Sequence, residues 1–482
     1  MTKTHLLFLI ILIEGYVVLA VELLAIRQLL PFVGSGVEVV AIVISGVLLP
    51  LALGYHYGGT VYRSSFARAK LQGYRSPSIR RILLRNLLIA LFILAFGLSY
   101  IFLELFFIFL TGLGIRHRLL QTGIYTLVFL VMPVFCLGQT VPLISHYFSR
   151  RRLSEITGKM LFFSTAGAFL GSVFSTLVLM MTVGVHNTVI ATLTLLTSIC
   201  ILLTRKKRRR AAYLGLFFLF IAINLNCGYY LRVVGIVSDN AYNMARIVHA
   251  PNEDVTYLML NRAVASAIGS DIEKRDNYYN YINTNFIATL QREGTPRDVL
   301  IIGAGGFVIG LKDSFNRYTY VDIDPDLKKV AETSFLPEKL TPNKQFIVSS
   351  ARTFVRHDDK KYDLVVLDVF QNVYAIPMEC TTREFLQDVK ARLKDHGMLA
   401  VNVITSPDFR DKFSARYDRT FSDVFPIHSR QIIGDYNPWR IEDSSDPSGV
   451  VRNTIYTYAN TFITQDDTIY TDDKNTYSID KP

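Results

Sequence analysis

The first 230 or so residues carry a succession of apolar segments, each close to twenty residues or longer. They lie near Leu6–Leu30, Val37–Tyr57, Ile82–Thr111, Leu120–Tyr147, Met160–Val183, Thr188–Leu203 and Ala212–Leu231. A helix rises about 1.5 Å per residue, so about twenty residues cross a hydrocarbon layer of about 30 Å. Within that layer every backbone N–H and C=O must find its partner inside the protein, which leaves the helix as the form for such segments. A polytopic α-helical membrane domain of about seven spans is therefore expected over residues 1–232. The opening segment is too long for a signal peptide and has no small-residue cleavage site.

Loop charge gives this domain an orientation. Arg63, Arg68, Lys70, Arg75, Arg80 and Arg81 follow the second segment. Arg150, Arg151, Arg152 and Lys159 follow the fourth, and a basic run from Arg205 to Arg210 follows the sixth. The opposite loops carry chiefly Arg116 and Arg118. The positive-inside rule then places the amino terminus and the basic loops in the cytoplasm. If the seventh segment crosses, the carboxy-terminal half lies outside, away from a cytosolic nucleoside supply; the extracytoplasmic side is the expectation, with that conflict open. The net charge of +11 belongs to these loops. The basic runs lack interleaved aromatics, so nucleic acid is not expected as a partner. Cys136, Cys200, Cys227 and Cys380 have no metal-ligand spacing, and neither zinc nor disulfides are expected.

Three ionisable residues, Glu14, Glu22 and Arg27, fall inside the first apolar segment. Charges at such depth are costly and usually pair or line a cavity. They read either as a polar site facing the bundle, for a cationic substrate, or as a structural pair of Glu22 with Arg27. The structural pair is preferred, although five residues is not an ideal helical spacing. Gln139-Thr-Val-Pro142 and Ala166-Gly-Ala-Phe-Leu-Gly171 are expected at close helix contacts.

The soluble half is organised around residues 298–368. Asp298-Val-Leu-Ile-Ile-Gly303-Ala-Gly305-Gly306, Tyr318-Thr-Tyr-Val-Asp322-Ile-Asp324-Pro325 and Tyr362-Asp363-Leu-Val-Val-Leu-Asp368 are short apolar runs ending in Gly or Asp. Runs without polar alternation suit strands buried on both faces of a parallel sheet. A glycine turn after the first strand lets the backbone approach a ligand closely. An acid about twenty residues on can accept hydrogen bonds from a ribose diol. The ordered set points to a nucleoside-binding doubly wound domain, with Asp322 as the ribose candidate and Asp324-Pro325 as a helix start.

These residues, together with Ile376-Pro377-Met-Glu-Cys-Thr381-Thr382-Arg383-Glu384-Phe385 and Gly397-Met-Leu-Ala-Val-Asn402, resemble the spermidine synthase (polyamine aminopropyltransferase) family, in particular its bacterial members fused to a membrane domain. The resemblance covers roughly Ala241 to Ser406, with a second patch from Glu22 to Gly34 and around Gly167–Gly171. It implies an α/β doubly wound, Rossmann-like, methyltransferase-type domain over residues 293–464, preceded by a small β-subdomain and linking helix over 233–292. Residues 465–482 form a polar tail. It implies S-adenosylmethionine or its decarboxylated form as substrate, with no metal. Gly303, Gly305, Gly306, Asp322 and Ser350 are the implied cofactor-binding residues. Asp368 is the implied catalytic acid, and Tyr242, Gln371 and one of Tyr278, Tyr279 and Tyr281, with Tyr281 taken, are implied at the acceptor.

Three departures from the family bear on the acceptor. Gly306, Ser350 and Gln371 stand where soluble members carry carboxylates for the donor's ammonium end, the adenine and the diamine. A polycation site that has lost three acids is poorly matched to putrescine. The expected activity is alkyl transfer, aminopropyl in the first instance, to an acceptor other than free putrescine. The competing reading is a transporter or sensor that binds a nucleoside or polyamine without turnover, and a third is a structural subunit. The expected setting is the bacterial inner membrane, with the bilayer and a small or membrane-associated acceptor as partners and a homodimer as a candidate assembly.

Overall fold

The computed structural model describes residues 3–34, 36–71, 78–148, 153–204, 209–370, 376–434 and 451–459. Gln371 and the tail over 465–482 lie outside the described residues. The amino-terminal half is helical: α1 (Lys3–Val33), α2 (Val37–Leu71), α3 (Ile79–Gly97), α4 (Tyr100–Gly112), α5 (Arg118–Ser145), α6 (Ser154–Thr182), α7 (Val185–Leu203) and α8 (Arg210–Val233). Among the described residues, six helices are long and apolar enough to cross a membrane, and up to seven if α3 and α4 form one span.

The segment expected as one helix from Ile82 to Thr111 is broken, with α3 and α4 meeting at 73°. The break falls at Gly97-Leu-Ser99, and its carbonyls are taken up by side chains from elsewhere. The Tyr125 hydroxyl donates to Gly97 O at 2.9 Å, and Gln28 Nε2 donates to Leu98 O at 3.1 Å. Ser99 Oγ in turn donates to Leu225 O within α8, at 3.2 Å. An apolar interior tolerates broken helix only where the freed groups are bonded in this way. The small residues of α6 bring it against α1: a Cβ on Gly167 would lie 2.0 Å from Leu12 O, and one on Gly171 2.2 Å from Tyr16 O.

Arg27 does not pair with Glu22. Five residues along a helix turn through about 140° beyond one revolution, so the two side chains leave α1 on different faces. Arg27 instead reaches the soluble half, 3.1 Å from Asp239 Oδ1 and donating to Asn240 O at 2.8 Å. His186, at the start of α7, approaches Asp239 Oδ2 at 2.9 Å. The soluble half therefore sits on the bundle end made by the end of α1 and the start of α7. Arg80, whose Nε donates to Leu203 O at the end of α7, marks the opposite end.

The soluble half begins with an antiparallel meander, β1 (Ile236–Asp239), β2 (Met244–His249), β3 (Thr256–Leu260) and β4 (Ala263–Ile268). A seven-stranded sheet follows, from β5 (Asp298–Ile302), β6 (Arg317–Asp322), β7 (Lys344–Val348), β8 (Tyr362–Leu367), β9 (Leu393–Thr405), β10 (Ser429–Ile432) and β11 (Arg452–Ala459). Its order is β10-β11-β9-β8-β5-β6-β7. Strands β5 to β9 pair in parallel, and β11 runs antiparallel between β9 and β10. Every residue of β5 is buried, because alternate side chains enter two cores: Val299 and Ile301 on one face, Leu300 and Ile302 on the other. After β7 the chain returns to lay β8 on the other side of β5. This reversal opens a crevice at the carboxyl ends of β5 and β8, the place where doubly wound sheets bind ligands.

Candidate nucleoside and acceptor site

The crevice is formed by backbone that only glycine can supply. Gly303, directly after β5, has φ of 89°, and a Cβ there would lie 2.0 Å from Asp368 O. Any side chain would push the ends of β5 and β8 apart. Gly306 is closed off differently: an added Cβ would meet Phe335 at 2.4 Å and Ser266 Cβ at 2.7 Å. A carboxylate at this position is thus excluded by packing, since there is no room for one. Gly306 N donates to Ser266 Oγ at 2.8 Å, which ties the glycine turn to β4.

Two acids flank the turn. Asp322 ends β6, and its Oδ2 accepts Ala304 N at 3.0 Å while Oδ1 accepts Asp324 N at 3.1 Å. Burial pushes its carboxyl up to about 6, against those backbone bonds. Asp368 follows β8 and accepts Asn402 Nδ2 at 2.9 Å. Burial also pushes this carboxyl up to about 6, with Asn402 and Tyr278 opposing. Both acids line one cavity of about 550 Å³, which also holds Gly303, Gly305, Ser350 and Tyr242. The volume suits a nucleoside-sized ligand. One carboxylate can accept two hydroxyls and the other can take a proton, which is the equipment for binding a diol beside a reacting nitrogen.

The remaining expected residues divide. The Ser350 hydroxyl caps the helix over Ala351–His357, accepting Thr353 N at 3.2 Å, so its hydrogen-bonding capacity is partly used by the fold. Tyr281 does not line the cavity; its ring faces Phe286, with centroids 6.3 Å apart. Asn277 caps the short helix Tyr278–Ile282, accepting Asn280 N at 2.9 Å, and that helix turns Tyr278 to the cavity. The Tyr278 hydroxyl donates to Ala265 O at 3.0 Å and lies beside Asp368.

Asn402, Arg262 and Leu30 line the cavity but were not among the residues expected there from the sequence. Among the described residues Asn402 Oδ1 is buried without a hydrogen-bond partner, its amide nitrogen being committed to Asp368. An orphaned buried acceptor calls for an explanation. Its sequence signals were its place at the end of an apolar run and in one of the segments that carry the resemblance. Arg262 borders the cavity from the β3–β4 turn, with φ of 70°, and lies 4.9 Å from the ring centroid of Phe32 on α1. Leu30 brings α1 itself to the cavity wall. The same helix reaches Asp322 through hydrogen bonds. Arg27 holds Asn240 O, Asn240 Nδ2 donates to Asp324 Oδ1 at 2.7 Å, and Asp324 N donates to Asp322. Asp324 therefore anchors the β-subdomain as well as opening the helical turn after β6. Among the described residues, no group of three or more His, Cys, Asp or Glu could hold a metal ion.

No protein-family model matches the chain. It is 39% identical over 146 residues to an N-terminal histidine N-methyltransferase of Emericella nidulans, covering 28% of this chain and 25% of that one. It is 28% identical over 183 residues to polyamine aminopropyltransferase 2 of Pseudomonas aeruginosa, covering 36% and 50%. With a polyamine aminopropyltransferase of Korarchaeum cryptofilum it shares 31% over 134 residues, covering 26% and 40%. The chain thus spans between a quarter and half the length of these curated relatives. Among solved structures it is similar to a probable spermidine synthase from Corynebacterium glutamicum, at a TM-score of 0.38 and 18% identity, covering 47% of this chain and 80% of that one. The soluble half of the chain is spermidine synthase-like, on a Rossmann-like fold with a mixed sheet.

Proposed function

We propose that the soluble half transfers an alkyl group from an S-adenosyl sulfonium donor to a nitrogen acceptor. The observation that carries this reading is the shared cavity of Asp322 and Asp368, on either side of the glycine turn, with Asn402 Oδ1 beside Asp368 and unpartnered among the described residues. The ribose diol would donate to Asp322. The acceptor nitrogen would donate its N–H groups to Asp368 and Asn402 Oδ1, leaving its lone pair free. That lone pair attacks the carbon next to sulfur, the carbon–sulfur bond breaks toward sulfur, and the acceptor proton passes to Asp368. Alignment of nitrogen, carbon and sulfur supplies most of the rate in such a displacement.

Methyl is the group this site favours. Gly306 leaves no room for the acid that would hold an aminopropyl ammonium. Among the described residues lining the cavity, Arg262 is the cation, suited to the carboxylate that S-adenosylmethionine keeps and its decarboxylated form lacks. The name of the Emericella relative favours a nitrogen on a polypeptide. Aminopropyl transfer is the second reading, favoured by the names of the two aminopropyltransferase relatives.

We further infer that the helices cross a bacterial inner membrane, with the basic loops in the cytoplasm and the soluble half outside. Support comes from the position of the soluble half, on the bundle end opposite Arg80 and the start of α8. The acceptor would be extracytoplasmic or membrane-associated, with the sulfonium donor reaching that side. The deciding experiment incubates the purified full chain with either donor, plus a peptide with an amino-terminal histidine or putrescine. Gain of one methyl group on the peptide with S-adenosylmethionine, lost in Asp368→Asn, is expected. Spermidine formed from decarboxylated donor and putrescine would establish the second reading. Binding of S-adenosylhomocysteine without turnover on any acceptor would favour a sensor.

A further inference from the structure

A second cavity, of about 1730 Å³, lies at the basic end of the helical half, between α3 and α8 and beside Leu203 at the end of α7. Its two walls follow the same plan. On α3, Arg81, Arg85, Leu88 and Phe92 succeed one another at spacings of four, three and four residues, which is a single helix face. On α8, Arg210, Leu214 and Phe218 recur every four residues. Each face therefore starts with guanidinium groups and continues as apolar surface. From Arg81 to Phe92 the rise is about 16 Å, half of a hydrocarbon layer of about 30 Å. The groove has the depth of one leaflet.

The charge at its mouth is uncompensated by the walls. Arg80, Arg81, Arg85, Arg209 and Arg210 line it, and among the described residues that line it there is no Asp or Glu. Arg80 is committed in part to Leu203 O. The others are neighbours of like charge, an arrangement that an anion relieves. A free phosphate would satisfy the arginines and leave the apolar walls uncovered. A zwitterionic lipid would cover the walls and bring a second cation among the arginines. Basic pockets between spanning helices on the cytoplasmic side suit acidic lipid head groups.

We propose that this groove holds one anionic glycerophospholipid, with its phosphate against Arg81, Arg85, Arg209 and Arg210 and its acyl chains along Leu84, Leu88, Phe92 and Phe218. The proposal rests on the membrane-spanning reading of the helices. It is independent of the chemistry at Asp368, since the site lies at the bundle end away from the soluble half. The lipid would fix α3 against α8, the two helices that meet at the break near Ser99.

The experiment uses the full chain delipidated in a neutral detergent. Thermal melting is followed while phosphatidylglycerol, phosphatidylcholine or inorganic phosphate is added, and native mass spectrometry counts bound lipid. The expected result is saturable stabilisation and a single bound molecule with phosphatidylglycerol alone. The double variant R81Q/R210Q should weaken that binding by at least about tenfold, the loss of charged hydrogen bonds from two arginines. Its circular dichroism spectrum and size-exclusion profile should match those of the unaltered chain, which shows that the variant is folded. Equal stabilisation by phosphatidylcholine would overturn the proposal in favour of annular lipid. Stabilisation by inorganic phosphate that R81Q/R210Q removes would replace it with a soluble-anion site. Unaltered phosphatidylglycerol binding by the variant would also overturn it. Recovery of the chain in the detergent-free soluble fraction of cells would instead overturn the spanning reading on which it rests.

Discussion

Asp322 and Asp368 sit at the carboxyl ends of neighbouring parts of the sheet, both pushed up to about 6 by burial. Asp322→Ala should weaken S-adenosylhomocysteine binding by about 1.5–3 kcal/mol, the range for a lost hydrogen bond to a charged group. Equal calorimetric affinities would remove Asp322 from the site. Ligand affinity and turnover should both fall as pH drops through about 6, because a protonated Asp322 accepts poorly and a protonated Asp368 takes no proton. Folding carries the opposite sign. An unfolded Asp titrates near 4, so between about 4 and 6 the folded chain keeps protons that the unfolded chain has released. These two groups therefore lower the stability of the ligand-free protein as pH rises across that window, and melting curves against pH with and without ligand separate the two effects. Asn402→Ala should depress turnover far more than donor affinity, since it touches Asp368 and the acceptor side; a matched loss of both would place it in the fold alone.

At the scale of elements, α1 belongs to the helical half and also walls the soluble cavity, through Leu30. Its Arg27 pairs with Asp239 while both side chains are nearly buried, at 7% and 8% exposure. In Asp239, burial raises the carboxyl, but His186 and Arg27 outweigh it and hold it below its ordinary value. Arg27→Ala strands that carboxylate beside His186 and should cost about 3–5 kcal/mol, as removal of one partner of a buried pair does. The same variant loosens Asn240 and with it the Asp324 contact behind Asp322. A lower melting temperature accompanied by weaker S-adenosylhomocysteine binding is expected. A lower melting temperature with unchanged binding would show that the hydrogen-bonded chain does not reach the ligand. The break between α3 and α4 should also depend on one hydroxyl. Tyr125→Phe leaves Gly97 O without its partner and should cost about 1–3 kcal/mol in the same melts.

At the scale of the whole molecule, the soluble half and the contact of Arg80 with Leu203 occupy opposite ends of the bundle. Reporter fusions after Lys70, Arg152 and Arg208 should all report cytoplasm, and a fusion after Pro482 the extracytoplasmic side. A cytoplasmic signal after Pro482 would mean that α8 does not cross, and would return the soluble half to the cytosolic donor supply.

The sequence by itself determined the features whose physics is local. Apolar length prescribes spanning-length helices, and runs such as Asp298–Ile302 without polar alternation prescribe strands buried on both faces. The glycine turn and the acids after β6 and β8 were legible for the same reason, since strand ends in a parallel sheet converge wherever they lie in the chain. Partner choice was not legible. Arg27 chose Asp239, 212 positions away, over a glutamate on its own helix. The phase of one short helix decided among Tyr278, Tyr279 and Tyr281 and turned Tyr278 to the cavity. The break at Gly97 follows from three side chains that donate across the bundle, and Asn402 became a site residue because β9 lies beside β8. Such contacts depend on where distant segments come to rest against one another, which no periodicity along the chain encodes, so only the tertiary structure decided them.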